Sequence, residues 1–117
     1  MIKKTSTQIS LGFSSLLEDQ LEHRHPLFRL SKEIQWSVFD QEFSKYYSVK
    51  MGKPCKPIRL MVSLLILKQL RNLSDESVVE QWSENVYYQY FSGILHYTYQ
   101  KPCVPTELVE FRKSIGT

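Results

Sequence analysis

The stretch "GKPCKPIRLMVSLLILKQLRNLSDESVVEQW", residues 52–82, sets Lys53, Lys56 and Arg59 among two prolines and then runs into a nearly unbroken aliphatic series. A membrane span, a nucleic-acid reader and the core of a helical domain are the three ways to read it. The aliphatic part, Ile58 to Leu67, is ten residues long and is interrupted by Arg59 and Ser63. A bilayer helix requires about twenty apolar residues, so the stretch reads as a buried helix of a globular fold. Pro57 suits the start of that helix, where a missing amide hydrogen leaves no intrahelical bond unmade. Ile58, Leu60, Met61, Val62, Leu64, Leu65, Ile66, Leu67 and Leu70 then point in nearly every direction around the axis. A helix apolar on all sides belongs at the centre of a bundle, and this one is expected to be the hub.

Next comes a three-residue turn and a plausible N-cap at Ser74, with Asp75 and Glu76 in the first turn of the following helix. Val78, Val79 and Trp82 face inward. Glu76, Glu80 and Glu84, four residues apart, form an acidic stripe unsuited to lying against phosphate. The pair resembles the first half of a helix-turn-helix, although taken without context a plain helical hairpin is the stronger reading. If a base-reading helix exists, it is the final one, with Arg112 and Lys113 outside.

Upstream, Leu16, Leu17 and Leu21 suggest a short helix. Pro26 begins another with Leu27, Leu30 and Ile34 at helical spacing, and Trp36, Phe39, Phe43 and Tyr47 form an aromatic stripe that needs covering. Downstream, "NVYYQYFSG" (85–93) reads as a short helix ended by Gly93. The alternation of Leu95, Tyr97 and Tyr99 suggests a short extended segment, limited by Pro102 and Pro105. Thr106 is expected to cap a last helix carrying Leu108, Phe111 and Ile115. The fold expected is all-α: a compact multi-helix bundle around a central hydrophobic helix, with a helix-turn-helix-like element. Residues 1–13 are expected to be a flexible arm and residues 14–117 the helical domain.

At 117 residues the chain is one domain's worth. Its net charge of +3 is unevenly spread, for residues 50–71 hold six basic side chains and no acid, while residues 72–117 hold six acids against three basic side chains. Cys55 and Cys103 form no ligand array with the three histidines, so neither a metal nor a cofactor is expected. His23 and His25 read as loop or cap residues, and Tyr87, Tyr88, Tyr90 and Phe91 as core. The acid pairs Glu18/Asp19, Asp40/Glu42 and Asp75/Glu76 point in different directions along their helices and would not converge on a metal ion. No catalytic set is visible. With no apolar run behind Lys3 and Lys4, no signal peptide is evident and the cytoplasm is the expected compartment.

An ordered series of residues carries a family likeness: Gly52, Pro54, Pro57, Arg59 and Leu60; then Leu73, Ser74, Asp75, Val78 and Val79; then Asn85, Tyr87, Tyr90, Phe91 and Gly93. Over roughly residues 20–116 the chain resembles the N-terminal domain of bacterial insertion-sequence transposases of the insertion-sequence-five group. The resemblance implies a helical, DNA-associated domain that precedes a catalytic domain with three metal-binding acids. That domain has no counterpart in these residues, so the chain is expected to be a truncated, non-catalytic piece. Val86 stands where the family usually has proline, Lys53 where arginine is usual, and Glu107 and Glu110 add negative charge to the last helix. Double-stranded DNA, transposon ends included, is the implied partner, with Lys53, Lys56, Arg59, Arg112 and Lys113 as candidate phosphate contacts. The alternative is a dimerisation or assembly domain without DNA binding of its own. One positive face would favour the first reading, and a contiguous apolar patch the second.

Overall fold

The computed structural model describes residues 5–6, 10–11, 15–51 and 56–116. The chain is all-α apart from an antiparallel ladder of β1 (Thr5–Ser6) and β2 (Ser10–Leu11). Seven helices follow: α1 (Leu17–Gln20), α2 (Pro26–Glu33), α3 (Trp36–Met51), α4 (Ile58–Arg71), α5 (Asp75–Trp82), α6 (Val86–Phe91) and α7 (Pro105–Gly116). The expected arm falls largely outside the described residues, as do Gly52, Lys53, Pro54 and Cys55.

Local chemistry explains most of the boundaries. Pro26 opens α2 with His25 as its N-cap. α4 ends where Asn72 turns left-handed, with φ 56°, and the Leu73 amide reaches back to the Lys68 carbonyl at 2.9 Å. The Ser74 hydroxyl accepts the Ser77 amide hydrogen at 3.0 Å and starts α5, as its sequence position suggests. Asn85 caps α6 by accepting the amide hydrogens of both Tyr87 and Tyr88, at 2.9 and 3.1 Å. Gly93, at φ 91°, ends the same helix. The last helix starts at Pro105, so Thr106 lies inside its first turn rather than capping it. Proline is pre-set for that first position, and Glu107 accepts the Val104 amide hydrogen at 2.9 Å instead.

α4 is the hub: it packs against α3, α5, α6 and α7. Met61, Leu64 and Leu67 are fully buried among Val78, Trp82, Phe91, Leu108 and Phe111. Each buried polar group in this centre is paired. The Trp82 indole donates to Ser92 Oγ at 2.9 Å, which donates in turn to the Tyr88 carbonyl. Gln89, fully buried, accepts the Thr98 amide hydrogen through Oε1 (3.0 Å) and donates through Nε2 to the Thr98 and Trp82 carbonyls (2.7 and 3.2 Å). This side chain holds the non-helical segment between α6 and α7 onto the bundle. The extended stretch expected there is reduced to a single bridge between His96 and Leu16, and the rest of the segment among the described residues is irregular.

Candidate nucleic-acid and assembly surfaces

Arg59, in the first turn of α4, is turned into the bundle. Its guanidinium carbon lies 4.4 Å from the centroid of the Trp36 ring, and its Nε donates to the Phe91 carbonyl at 3.2 Å. Phe91 ends α6, so its carbonyl has no helical partner, and Ser63, one turn along α4, donates to the same oxygen at 3.3 Å. Trp36 is held in turn by its indole bond to the Ser31 carbonyl at 3.0 Å and by an edge-on contact with Phe91. Gly93 completes the arrangement. A Cβ there would come 3.0 Å from Arg59 Cδ, on a backbone already in the left-handed region. Burial lowers the Arg59 pKa from its usual value, with Tyr90 and Asp40 opposing that effect. Arg59 therefore ties α3, α4 and the end of α6 together.

Arg112 is also engaged. Its Nη1 lies 3.1 Å from Asp75 Oδ1, and the same oxygen is 2.9 Å from Lys68 Nζ. Burial alone would raise the Asp75 pKa, but bonds from Lys68 and Arg112 outweigh it and hold the carboxyl below its usual value. The triad joins α4, α5 and α7. Lys56 and Lys113 are exposed, and neither makes an ion pair among the described residues; Lys53 lies outside them. Lys56 and Arg59 sit at one end of α4, whereas Arg112 reaches the level of Lys68. Nine residues of helix separate Arg59 from Lys68, about 14 Å at 1.5 Å per residue. Among the described candidates, Arg59 and Arg112 thus belong to separate networks.

Charge balance supports the same view. All twelve acids fall within the described residues, while Lys3, Lys4 and Lys53 fall outside them. The described chain is formally neutral, and the excess of positive charge belongs to the first residues and to the connection before α4. The acidic stripe of α5 remains on the surface, with Glu80 paired to Lys101 at 2.6 Å.

The contiguous apolar surface lies elsewhere. A groove of about 380 Å³ runs between α3 and α4 to the last turn of α7, lined by Phe39, Phe43, Leu65, Ile66, Leu70 and Ile115 among others. Gln69 is its one polar lining residue among the described residues. Leu70 beside it is 54% exposed. Trp36, Phe39 and Phe43 of the α3 stripe are all partly buried, and Phe39 and Phe43 form one wall of the groove. Sequence reading missed this opening because it placed every apolar residue of α4 at the centre; the signal was the stripe at i, i+3 and i+7 on α3, which has more apolar area than one neighbour covers.

The remaining sequence candidates have structural roles. Tyr88 and Phe91 are buried, and Tyr90 stacks on Phe28 at 4.5 Å while donating to Glu18 at 3.0 Å. Burial, with Glu107 adding to it, pushes the Cys103 thiol up to about 11, which keeps it protonated and unreactive near neutral pH. Among the described residues no three His, Cys, Asp or Glu side chains are placed to hold a metal ion, and no helix is long and apolar enough to cross a membrane.

Comparison with known proteins agrees with this helical body. Residues 15–114 match the family model "Transposase domain (DUF772)". A Rhizobium meliloti protein described as "Uncharacterized protein ORF8 in nfe locus" is 39% identical over 111 residues, which is 92% of this chain and 53% of that protein. The chain thus spans about half the length of the curated relative it matches. No solved structure matches it. With the family model covering nearly the whole described helical region, the chain belongs to the transposase-domain family DUF772.

Proposed function

We propose that this domain serves a transposase as a non-catalytic assembly module, associating with a second copy of itself through the groove between α3, α4 and α7. The groove is the observation that carries the reading. An aliphatic and aromatic surface with one polar lining residue gains free energy when a protein surface removes it from water. Leu70 projects beside the hollow that Leu65 and Ile66 line on the same helix, so one surface offers both a knob and a recess, as a two-fold interface needs. The test is light scattering after size exclusion across a concentration series, with wild type and Leu70→Glu side by side. A dimer that the substitution dissociates supports the reading; a wild-type monomer at every concentration overturns it.

The second reading is a direct DNA contact. It is supported by membership of a transposase family and by the exposure of Lys56, which follows Lys53 by three residues in a stretch of sequence without acids. Such a contact would be largely electrostatic and sequence-independent, and so steeply dependent on salt. Fluorescence anisotropy with duplex DNA at about 50 and about 200 mM salt reads this directly, since neutralising a handful of phosphates loses orders of magnitude in affinity over that range. Binding reduced by Lys53→Ala with Lys56→Ala supports the contact, and absence of binding at the lower salt sinks it. The two readings are compatible in one protein, and the two measurements separate them. A catalytic domain downstream and the arm at residues 1–13 belong to the same proposal.

A further inference from the structure

The start of α2 is held in an unusual way. Its N-cap is a histidine, and the acceptor is His25 Nδ1, which takes the Leu27 amide hydrogen at 3.1 Å. An imidazole nitrogen accepts only when it carries no proton, so the folded structure requires the neutral ring with its hydrogen on Nε2. The ring also stacks on Tyr87 of α6, with centroids 3.8 Å apart and planes 13° from parallel. The Tyr87 hydroxyl in turn accepts the Glu22 amide hydrogen at 3.0 Å, fixing the turn that leads into α2. One imidazole therefore sits at the junction of the turn, α2 and α6.

We propose that His25 is a pH-sensitive latch: protonation of Nδ1 removes the acceptor for the Leu27 amide and releases the first turn of α2 from α6. Three effects act in the same direction. The cap bond is lost because both ring nitrogens become donors. A positive charge is placed at the positive end of the helix dipole. The charged groups around the ring do not offset it, since Arg71 at the end of α4 repels an added proton, while Glu22 in the preceding turn is already bonded to Arg24. Tyr87 is the titratable group facing the ring from α6, and its hydroxyl is engaged by the Glu22 amide hydrogen.

Burial, reinforced by Arg71, lowers the His25 pKa from the ordinary histidine value. The unfolded chain then binds the proton more tightly than the folded one. The latch contributes its full stability above about pH 6.5, the unfolded value, and loses it progressively as pH falls through the lowered folded value. The inference is independent of the assembly reading, because the groove involves neither α2 nor α6.

The test is an NMR titration of the His25 ring protons, together with hydrogen exchange at the Leu27 amide between pH 7.5 and pH 5, on wild type and His25→Asn. Asparagine keeps a capping oxygen and cannot titrate. For wild type, exchange corrected for its intrinsic rate should lose protection on acidification, by about tenfold for each pKa unit by which His25 is depressed. In His25→Asn the loss should vanish. Titration of His25 at or above about 6.5, the ordinary value, overturns the proposal. So does a pH dependence at Leu27 that His25→Asn leaves unchanged.

Discussion

The two sides of α4 are built from the same kinds of residue and end in different surroundings. Toward α5, α6 and α7, Met61, Leu64 and Leu67 have no exposure at all, and the polar groups among them are paired. Toward α3, Leu65 and Ile66 are only partly buried and Leu70 is 54% exposed. An aliphatic run therefore states that a surface is to be buried without stating whether the same chain buries it. On one side the chain does so itself; on the other the surface stays open.

Mutations sharpen this contrast in a graded series. Leu64→Ala or Phe91→Ala, on the sealed side, should cost about 3–5 kcal/mol in chemical denaturation, because the cavity left behind has close-packed walls. Comparable behaviour at Leu70 would break the comparison. Arg59→Met should cost less, about 1–3 kcal/mol, since it leaves the Phe91 carbonyl with Ser63 alone and removes the stacking on Trp36. Asp75→Asn should cost about 1 kcal/mol by weakening its contacts with Lys68 and Arg112. The Asp75 pKa is depressed in the folded state, so wild type should hold this contribution above about pH 4 and lose it as pH falls through the lower folded value. A denaturation series from pH 5 to pH 2.5 on both proteins should show the gap closing at the acid end. The smallest expected effect is at Leu70: Leu70→Glu should move monomer stability by no more than about 0.5 kcal/mol while abolishing self-association.

The sequence made the helices legible where the chemistry is local. Pro26 at a first turn, Ser74 as a cap and Gly93 as a terminator act within a few residues of themselves, and each appears in the structure as expected. Thr106 failed as a cap because the adjacent proline begins the helix one residue earlier. What Arg59 touches was much less legible. The sequence offered it as a candidate phosphate contact, one cation of a basic set at the entrance to α4. The actual partners, Trp36, Phe91 and the space above Gly93, come from before and after it in the chain, the Phe91 carbonyl thirty-two residues away. A contact of that separation has no periodicity to reveal it. Arg112 is similar, since its pairing with Asp75 depends on how α7 crosses α5. The candidate cations were chosen by residue type, and residue type alone does not distinguish a cation facing solvent from one that joins helices.

The way Gln89 holds the segment before α7 has a consequence for divergence. It reads only the main chain of Thr98, donating to its carbonyl and accepting from its amide, so the identity of the side chain at position 98 is not part of the recognition. Substitutions at position 98 can accumulate without unseating the segment, provided none introduces proline. Gln89 has no such latitude: glutamate has its shape but neither of its donors, and would face two carbonyls with a carboxylate. Among relatives of this fold, position 98 should vary freely beside one invariant amide that is hidden from every partner.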